Sequence, residues 1–394
     1  MPEPILILGG GLIGLSLAHD QARRGRAVTV ISRRRSEAAG FVAAGMLAPH
    51  AEGLEGPMLA LGQRSLALIP SWVQQIEADS GLTCGLRQCG IVVPFRSAEE
   101  RDRYPTAAWG LPLDRRALES ELPGLAASWT EGLLFAQDGQ IDNRRRLMRA
   151  LERACVALGV RFQEGSDVLE LHTERDGGDG GRAGKQALVA ITLQTADGET
   201  RRMPCALAIL ACGSWSRQLV PSLPIAPVKG QMMSLQGPRQ ALQRVLFGPG
   251  TYLVPREDGL LVVGATSEPE AGFSEGLTPE GQRTLQAGVA SLLPEAAGWP
   301  PMERWWGFRP CTPDQRPILG QSPIEGLWLA TGHHRNGVLL AAITADLLGR
   351  ALSGDQDPAL TEQLAPFRWD RFQGTPSGAK TVAEAVGPPS DRQS

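Results

Sequence analysis

The sequence predicts an α/β protein of more than one domain. Three observations carry that expectation. Within about thirty residues an apolar run, a glycine-rich turn, a helix-periodic stretch and a β-branched run succeed one another, which is the order of a βαβ unit. Further along, several segments alternate apolar and polar residues around glycine-bearing turns, as paired strands do. The chain has 394 residues, too many for one small core.

The elements follow in order. Ile5 to Leu8 reads as a short buried strand. From Leu12 to Arg24 the residues Leu12, Leu15, Ala18 and Ala22 share one helical face, and Gly25 supplies the C-terminal stop. Ala27 to Ile31 is the second strand. A helix is expected over Pro57 to Ser80, a strand over Gly90 to Phe95, and a helix over Arg144 to Leu158 followed by "VRFQEG". "VLELHTE" and "ALVAITLQT" alternate as partner strands around the glycine-rich stretch 176–184, a hairpin tip. Ala206 to Ser216 is a buried strand entering a turn of small residues. Tyr252 to Thr266 is a hairpin turning at Glu257-Asp258-Gly259. Glu280 to Leu293 is a helix, and Gly326 to Leu352 reads as strand, polar turn and helix. Beyond about 370 the chain is polar and rich in Gly, Pro and Ser, a disordered tail or linker.

Composition narrows the function classes. Hydrophobic residues make up 42% and charged residues 21%, with a net charge of -3, the balance of an ordinary globular protein. The densest basic cluster, Arg33-Arg34-Arg35, is a solvated loop, so neither nucleic acid nor a membrane surface is an expected partner. The six cysteines are scattered without a CxxC pair or zinc-site spacing, and no metal is expected. The apolar start lacks a basic flank, carries Glu3 and is broken by three glycines, unlike a signal peptide. No apolar run reaches a membrane span. A cytoplasmic protein is expected.

Gly9, Gly11 and Gly14 fit GxGxxG between the first strand and the first helix. Gly9 permits the tight turn, Gly11 lets a phosphate approach the backbone, and Gly14 lets helix and strand pack closely. Leu12 and Ile13 then open a helix whose N–H groups and dipole favour a pyrophosphate. The acidic residue that usually ends the second strand is missing. Ser32 stands there, followed by Arg33, with Glu37 a few residues on. The motif predicts a dinucleotide without choosing which, and Ser32-Arg33 leaves an NADP-binding protein as an alternative.

Five further segments choose. "FVAAGMLAPHAE" (Phe41 to Glu52), "PVKGQMMSL" (Pro227 to Leu235), "YLVPREDGLLVVGAT", "WWGFRPCTPDQRPILG" (Trp305 to Gly320) and "GHHRNGVLLAAITADLL" (Gly332 to Leu348) follow the opening motif. Together the set resembles the FAD-dependent amine oxidases of the D-amino acid oxidase superfamily, and its glycine-oxidising branch most. The resemblance implies a discontinuous Rossmann-like FAD-binding domain (1–80, 144–224 and 306–352), an antiparallel-sheet substrate domain (81–143 and 225–305) and a C-terminal extension (353–394). It implies non-covalent FAD, since Cys311 sits too close to "TPD" to match a flavin-attaching cysteine.

The resemblance also assigns residues. Arg309 takes the substrate carboxylate in a fork, Tyr252 adds its hydroxyl, and Arg335 lies near both substrate and flavin. Ala44, Gly45 and Met46 lie near the flavin ring, and Val168 meets the adenine through its backbone. Ala211 and Gly213 form a small turn at the cofactor. The loop Gly332, His334, Arg335, Asn336, Gly337 and Val338 lies against the isoalloxazine. His333 and His334 receive no proton role, because hydride transfer from a neutral amine needs no base. Phe247 replaces a tyrosine and Ser267 a methionine of the relative, which leaves sarcosine and small D-amino acids open as substrates. The implied reaction is oxidation of glycine by FAD and O2 to the imine and hydrogen peroxide. The imine then gives glyoxylate and ammonia or feeds thiazole synthesis for thiamine. A flavin dehydrogenase with another acceptor is the alternative. A homo-oligomer and a link to thiazole synthase are implied as partners.

Overall fold

The computed structural model describes residues 3–175 and 186–373. Its first sheet is the one that the opening motif predicts. Six strands run in the order Ile318–Gln321, Leu327–Thr331, Ala208–Leu210, Ile5–Leu8, Val28–Ser32 and Arg161–Glu164. All neighbours are parallel except Ile318–Gln321, which pairs antiparallel with Leu327–Thr331. Parallel strands need both faces covered, and both are. Helices Leu12–Arg23, Gly56–Ser80, Met148–Ala157 and Gly337–Leu352 pack their apolar residues against Ile7, Val30 and Ile209 on one face. On the other, Leu8, Ile31, Leu210 and Leu329 meet Leu188, Ile191 and Leu193 of a small, mainly antiparallel sheet. That sheet contains the paired segments Asp167–Arg175 and Gln186–Gln194, with Thr200–Pro204 at its edge.

The second large sheet has eight strands, ordered Pro301–Cys311, Ala226–Gln236, Leu260–Gly264, Thr251–Pro255, Val245–Gly248, Ile91–Phe95, Glu131–Phe135 and Leu111–Leu113. Its neighbours are antiparallel except for Val245–Gly248 beside Ile91–Phe95. The helix Pro279–Leu292 covers one face through Leu285 and Val289. The opposite face, with Met232, Phe247 and Tyr252, packs toward Ala44 and Ala48 of the loop after the second strand.

Three differences from the expected elements have local causes. The helix expected from Arg144 begins instead with a π turn, Asn143–Leu147, because the Leu147 N–H reaches back five residues to the Asp142 carbonyl at 3.0 Å. The strand Pro301–Cys311 runs unbroken through the expected domain boundary at 305/306, since its register against Ala226–Gln236 continues to Cys311. Leu86–Arg87 and Gly139–Ile141 leave the expected substrate segment to pair with Met46–Leu47 in a three-stranded sheet. The tip 176–184 and the tail past 373 lie outside the described residues. Among the described residues no helix is long and apolar enough to cross a membrane.

Candidate cofactor and substrate site

The glycine turn is required by contact. Gly9 has φ +112°, and a side chain there would strike the Ala211 carbonyl at the end of the neighbouring strand. A Cβ on Gly14 would overlap the Gly9 carbonyl oxygen, so helix and turn can meet this closely only with glycine. Gly11 caps the helix in extended backbone, and no side chain bonds the cap. The first-turn N–H groups are left for a ligand.

A cavity of about 670 Å³ opens beside this turn and is walled by both large sheets. Gly9, Gly11, Leu12, Ile13, Ser32 and Arg33 line it at the turn, with Val168, Ala211 and Gly213 close by. Ala44, Gly45 and Met46 contribute from the loop after the second strand. Phe247, Tyr252, Ser267 and Arg309 contribute from the eight-stranded sheet and its connections, and His334, Arg335, Gly337 and Val338 from the last helix and its loop. Gly14, Gly332 and Asn336, expected to touch the cofactor, stand behind the wall. Gly14 packs on Gly9, Gly332 at φ +74° fits against Thr312, and Asn336 caps the helix Gly337–Leu352. Cys311 is buried, does not line the cavity, and its thiol donates to the Thr312 carbonyl at 3.4 Å.

At the strand end, where the usual acid is missing, acidic side chains from elsewhere reach the cavity. Arg33 lies over the Trp215 ring, 5.5 Å from its centroid, and pairs with Asp167 at 3.4 Å and Glu37 at 3.7 Å. Asp167, Glu37 and Trp215 all line the cavity. Asp167 and Trp215 escaped the sequence reading, since nothing local links them to the glycine turn.

The opposite group of residues is built around two guanidiniums. Arg309 stands opposite Val228 in the sheet, and the absent side chain of Gly230 leaves the space its guanidinium fills. Its Nη1 donates to the Thr266 carbonyl at 3.0 Å, and burial lowers its pKa. Register places Phe247 beside Tyr252, with their rings stacked at 6.4 Å. The Tyr252 hydroxyl donates to Met232 Sδ at 3.5 Å, and burial raises its pKa. Arg335 Nε donates to the Glu52 carboxylate at 2.7 Å, and that pairing raises the arginine's pKa. Glu52 was missed as a site residue although it ends the quoted run "FVAAGMLAPHAE", where it is the sole acid.

His333 is buried, 3.0 Å from the Thr344 hydroxyl, and burial pushes its imidazole down to about 3. It is neutral at physiological pH and adds no positive charge to the site. An unfolded histidine titrates near 6.5, so the unfolded chain binds a proton that the folded one refuses. Its contribution to stability is complete above that value and is lost as pH falls toward 3. The unfolding midpoint should therefore drop between pH 7 and pH 5, and His333→Gln should make the drop shallower; thermal melts at both pH values measure this.

Known proteins resemble this chain over nearly its whole length. A family model described as DAO, FAD dependent oxidoreductase, matches residues 4–351. The bifunctional protein ThiO/ThiG of Synechocystis sp. is 41% identical over 373 residues, covering 93% of this chain and 54% of that protein. The chain thus spans about half the length of its ThiO/ThiG relatives. Glycine oxidase of Pseudomonas aeruginosa is 31% identical over 374 residues, covering 91% of this chain and 98% of that one. The crystal structure of glycine oxidase from Geobacillus kaustophilus superposes with a TM-score of 0.82 at 27% identity, covering 95% of this chain and 100% of that one.

Proposed function

The chain belongs to the DAO family of FAD dependent oxidoreductases, and on that premise we propose that it oxidises glycine to its imine, with oxygen reduced to hydrogen peroxide. One observation carries the reading: a single cavity joins an uncapped helix start at a glycine turn to a guanidinium held in a largely apolar wall. The glycine cradle fits a dinucleotide, since a Cβ at Gly9 or Gly14 would strike the backbone that shapes it. In this reading the six-stranded sheet carries the cofactor and the eight-stranded sheet forms the substrate side.

The chemistry FAD supplies when bound is hydride acceptance from the α-carbon and delivery of the electron pair to oxygen. The chain's own residues orient the amino acid. Arg309 holds the carboxylate through charge-assisted hydrogen bonds, and the Tyr252 hydroxyl turns from Met232 to add another. Helix Gly337–Leu352, whose cap has no side-chain hydrogen bond, presents its positive end to the cavity and favours negative charge there. Phe247, Tyr252 and Met232 keep the reacting end apolar. Removing one hydroxyl from a charged acceptor costs about 1.5 kcal/mol, so Tyr252→Phe should lower kcat/KM for glycine by roughly tenfold, as steady-state oxygen uptake would show.

The reading carries with it a cytoplasmic location, a homo-oligomer, and a product that gives glyoxylate and ammonia or feeds thiazole synthesis. The bifunctional ThiO/ThiG relatives support the last of these. Phe247 and Ser267 on the cavity wall favour a second reading, a broader oxidase that also takes sarcosine or small D-amino acids. Kinetics on glycine, sarcosine and D-alanine separate the two. The deciding experiment is the visible spectrum of the purified protein, then glycine without oxygen. A yellow protein bleached by glycine and restored by air is the expected result. A yellow protein that glycine leaves oxidised overturns the substrate, and a colourless protein that takes up no FAD overturns the proposal.

A further inference from the structure

We infer that Glu52 sets the charge class of the substrate: by holding Arg335 it leaves one uncompensated guanidinium, Arg309, and the site admits one carboxylate rather than two. The inference rests on the amino-acid oxidase reading but concerns a residue that reading does not use. Arg335 and Arg309 line the same cavity, and so does Glu52. The Glu52 side chain is 6% exposed and lies 2.7 Å from Arg335 Nε, while the Arg335 side chain is 42% exposed and could otherwise receive a ligand.

Glu52 is also fixed from behind. The buried Asp138 carboxylate accepts the His50 N–H at 3.2 Å and the Ala51 N–H at 2.8 Å, and lies 2.6 Å from His50 Nδ1. The Tyr104 hydroxyl donates to the Ala51 carbonyl, and the Thr106 hydroxyl to the His50 carbonyl, each at 2.6 Å. A turn anchored at five points presents the carboxylate, so the Arg335 pair is pre-organised. The guanidiniums of Arg309 and Arg335 and the carboxylate of Glu52 together leave a single positive charge. A monocarboxylate with a neutral amine matches it. A second carboxylate would have to displace one that is already desolvated and in place.

The test is equilibrium binding of acetate and of malonate to the FAD-loaded protein by calorimetry, which needs no turnover. Glu52→Gln keeps the shape and releases Arg335. It should shift the malonate-to-acetate affinity ratio toward malonate by roughly 10- to 100-fold, the scale of one added charge-assisted hydrogen bond. Glu52→Asp, which keeps the charge, should stay near the parent ratio. Adding Arg335→Met to Glu52→Gln should abolish the gain, which a merely structural role of Glu52 would not predict. An unchanged ratio in Glu52→Gln overturns the inference. If that variant loses flavin, Glu52→Ser carries the same test with the same two outcomes. A parent that binds neither carboxylate overturns both readings. A parent that binds acetate but is not reduced by glycine overturns the glycine assignment alone.

Discussion

Arg309→Ala is expected to lower kcat/KM for glycine roughly 10³-fold, chiefly through KM, while the flavin spectrum of the protein stays unchanged. Truncating one partner of a desolvated charge pair leaves the other unpaired, and in the proposed function that other is the substrate carboxylate. Neither of its basic neighbours on the described wall replaces it, because Arg335 is committed to Glu52 and His333 is neutral. Arg309→Lys should recover only part of the loss, since an ammonium cannot reproduce the planar fork. Steady-state kinetics with oxygen uptake measure this, and a KM within twofold of the parent would remove Arg309 from the substrate site.

Gly14→Val is expected to yield a protein without flavin. The new side chain would meet the Gly9 carbonyl, which is backbone and cannot rotate aside, so the helix must move off the turn. The N–H groups proposed to face the pyrophosphate move with it. Gly11→Ala isolates the two requirements. Its Cβ would come no closer to the protein than 3.4 Å, from Ala38 Cβ, so the fold is kept while the phosphate's approach is blocked. That variant should fold with a normal unfolding midpoint and bind FAD roughly 10²-fold more weakly. Flavin absorbance after purification and titration of the apoprotein with FAD distinguish the two. Full flavin content in Gly14→Val would mean that the turn is not the pyrophosphate site.

The parts of this molecule that a sequence discloses are those fixed by neighbours in the chain. The first strand, turn, helix and second strand are legible because apolar period, glycine placement and capping all act within a few residues. The hairpin from Tyr252 is legible for the same reason. Arg309 and Tyr252, both on the cavity wall, are singled out by resemblance alone, and the physical signal beside Arg309, a glycine at 230, becomes readable only once register sets Val228 opposite the arginine. Glu52 meets Arg335 across 283 residues, and His50 meets Asp138 across 88. No spacing rule connects such pairs. The parallel pairing of Val245–Gly248 with Ile91–Phe95 is equally non-local. The π turn at Asn143 depends on backbone hydrogen bonds from Leu147 to Asp142 and from Met148 to Asn143, which composition does not encode.

The walls of the cavity are drawn from Gly9 through Val338, and Arg309 follows Gly9 by 300 residues. At a ribosome's usual pace of about 5–20 residues per second, roughly 15–60 s separate the emergence of the glycine turn from that of the arginine. The strand Ile5–Leu8 waits much of that time for its partner Ala208–Leu210. FAD thus finds its full cavity only after the wall residues through Val338 have emerged. Any nascent fragment shorter than that offers the turn without the pocket. The early βαβ unit, apolar on both faces, is the segment that a holding chaperone would have to shield in the meantime.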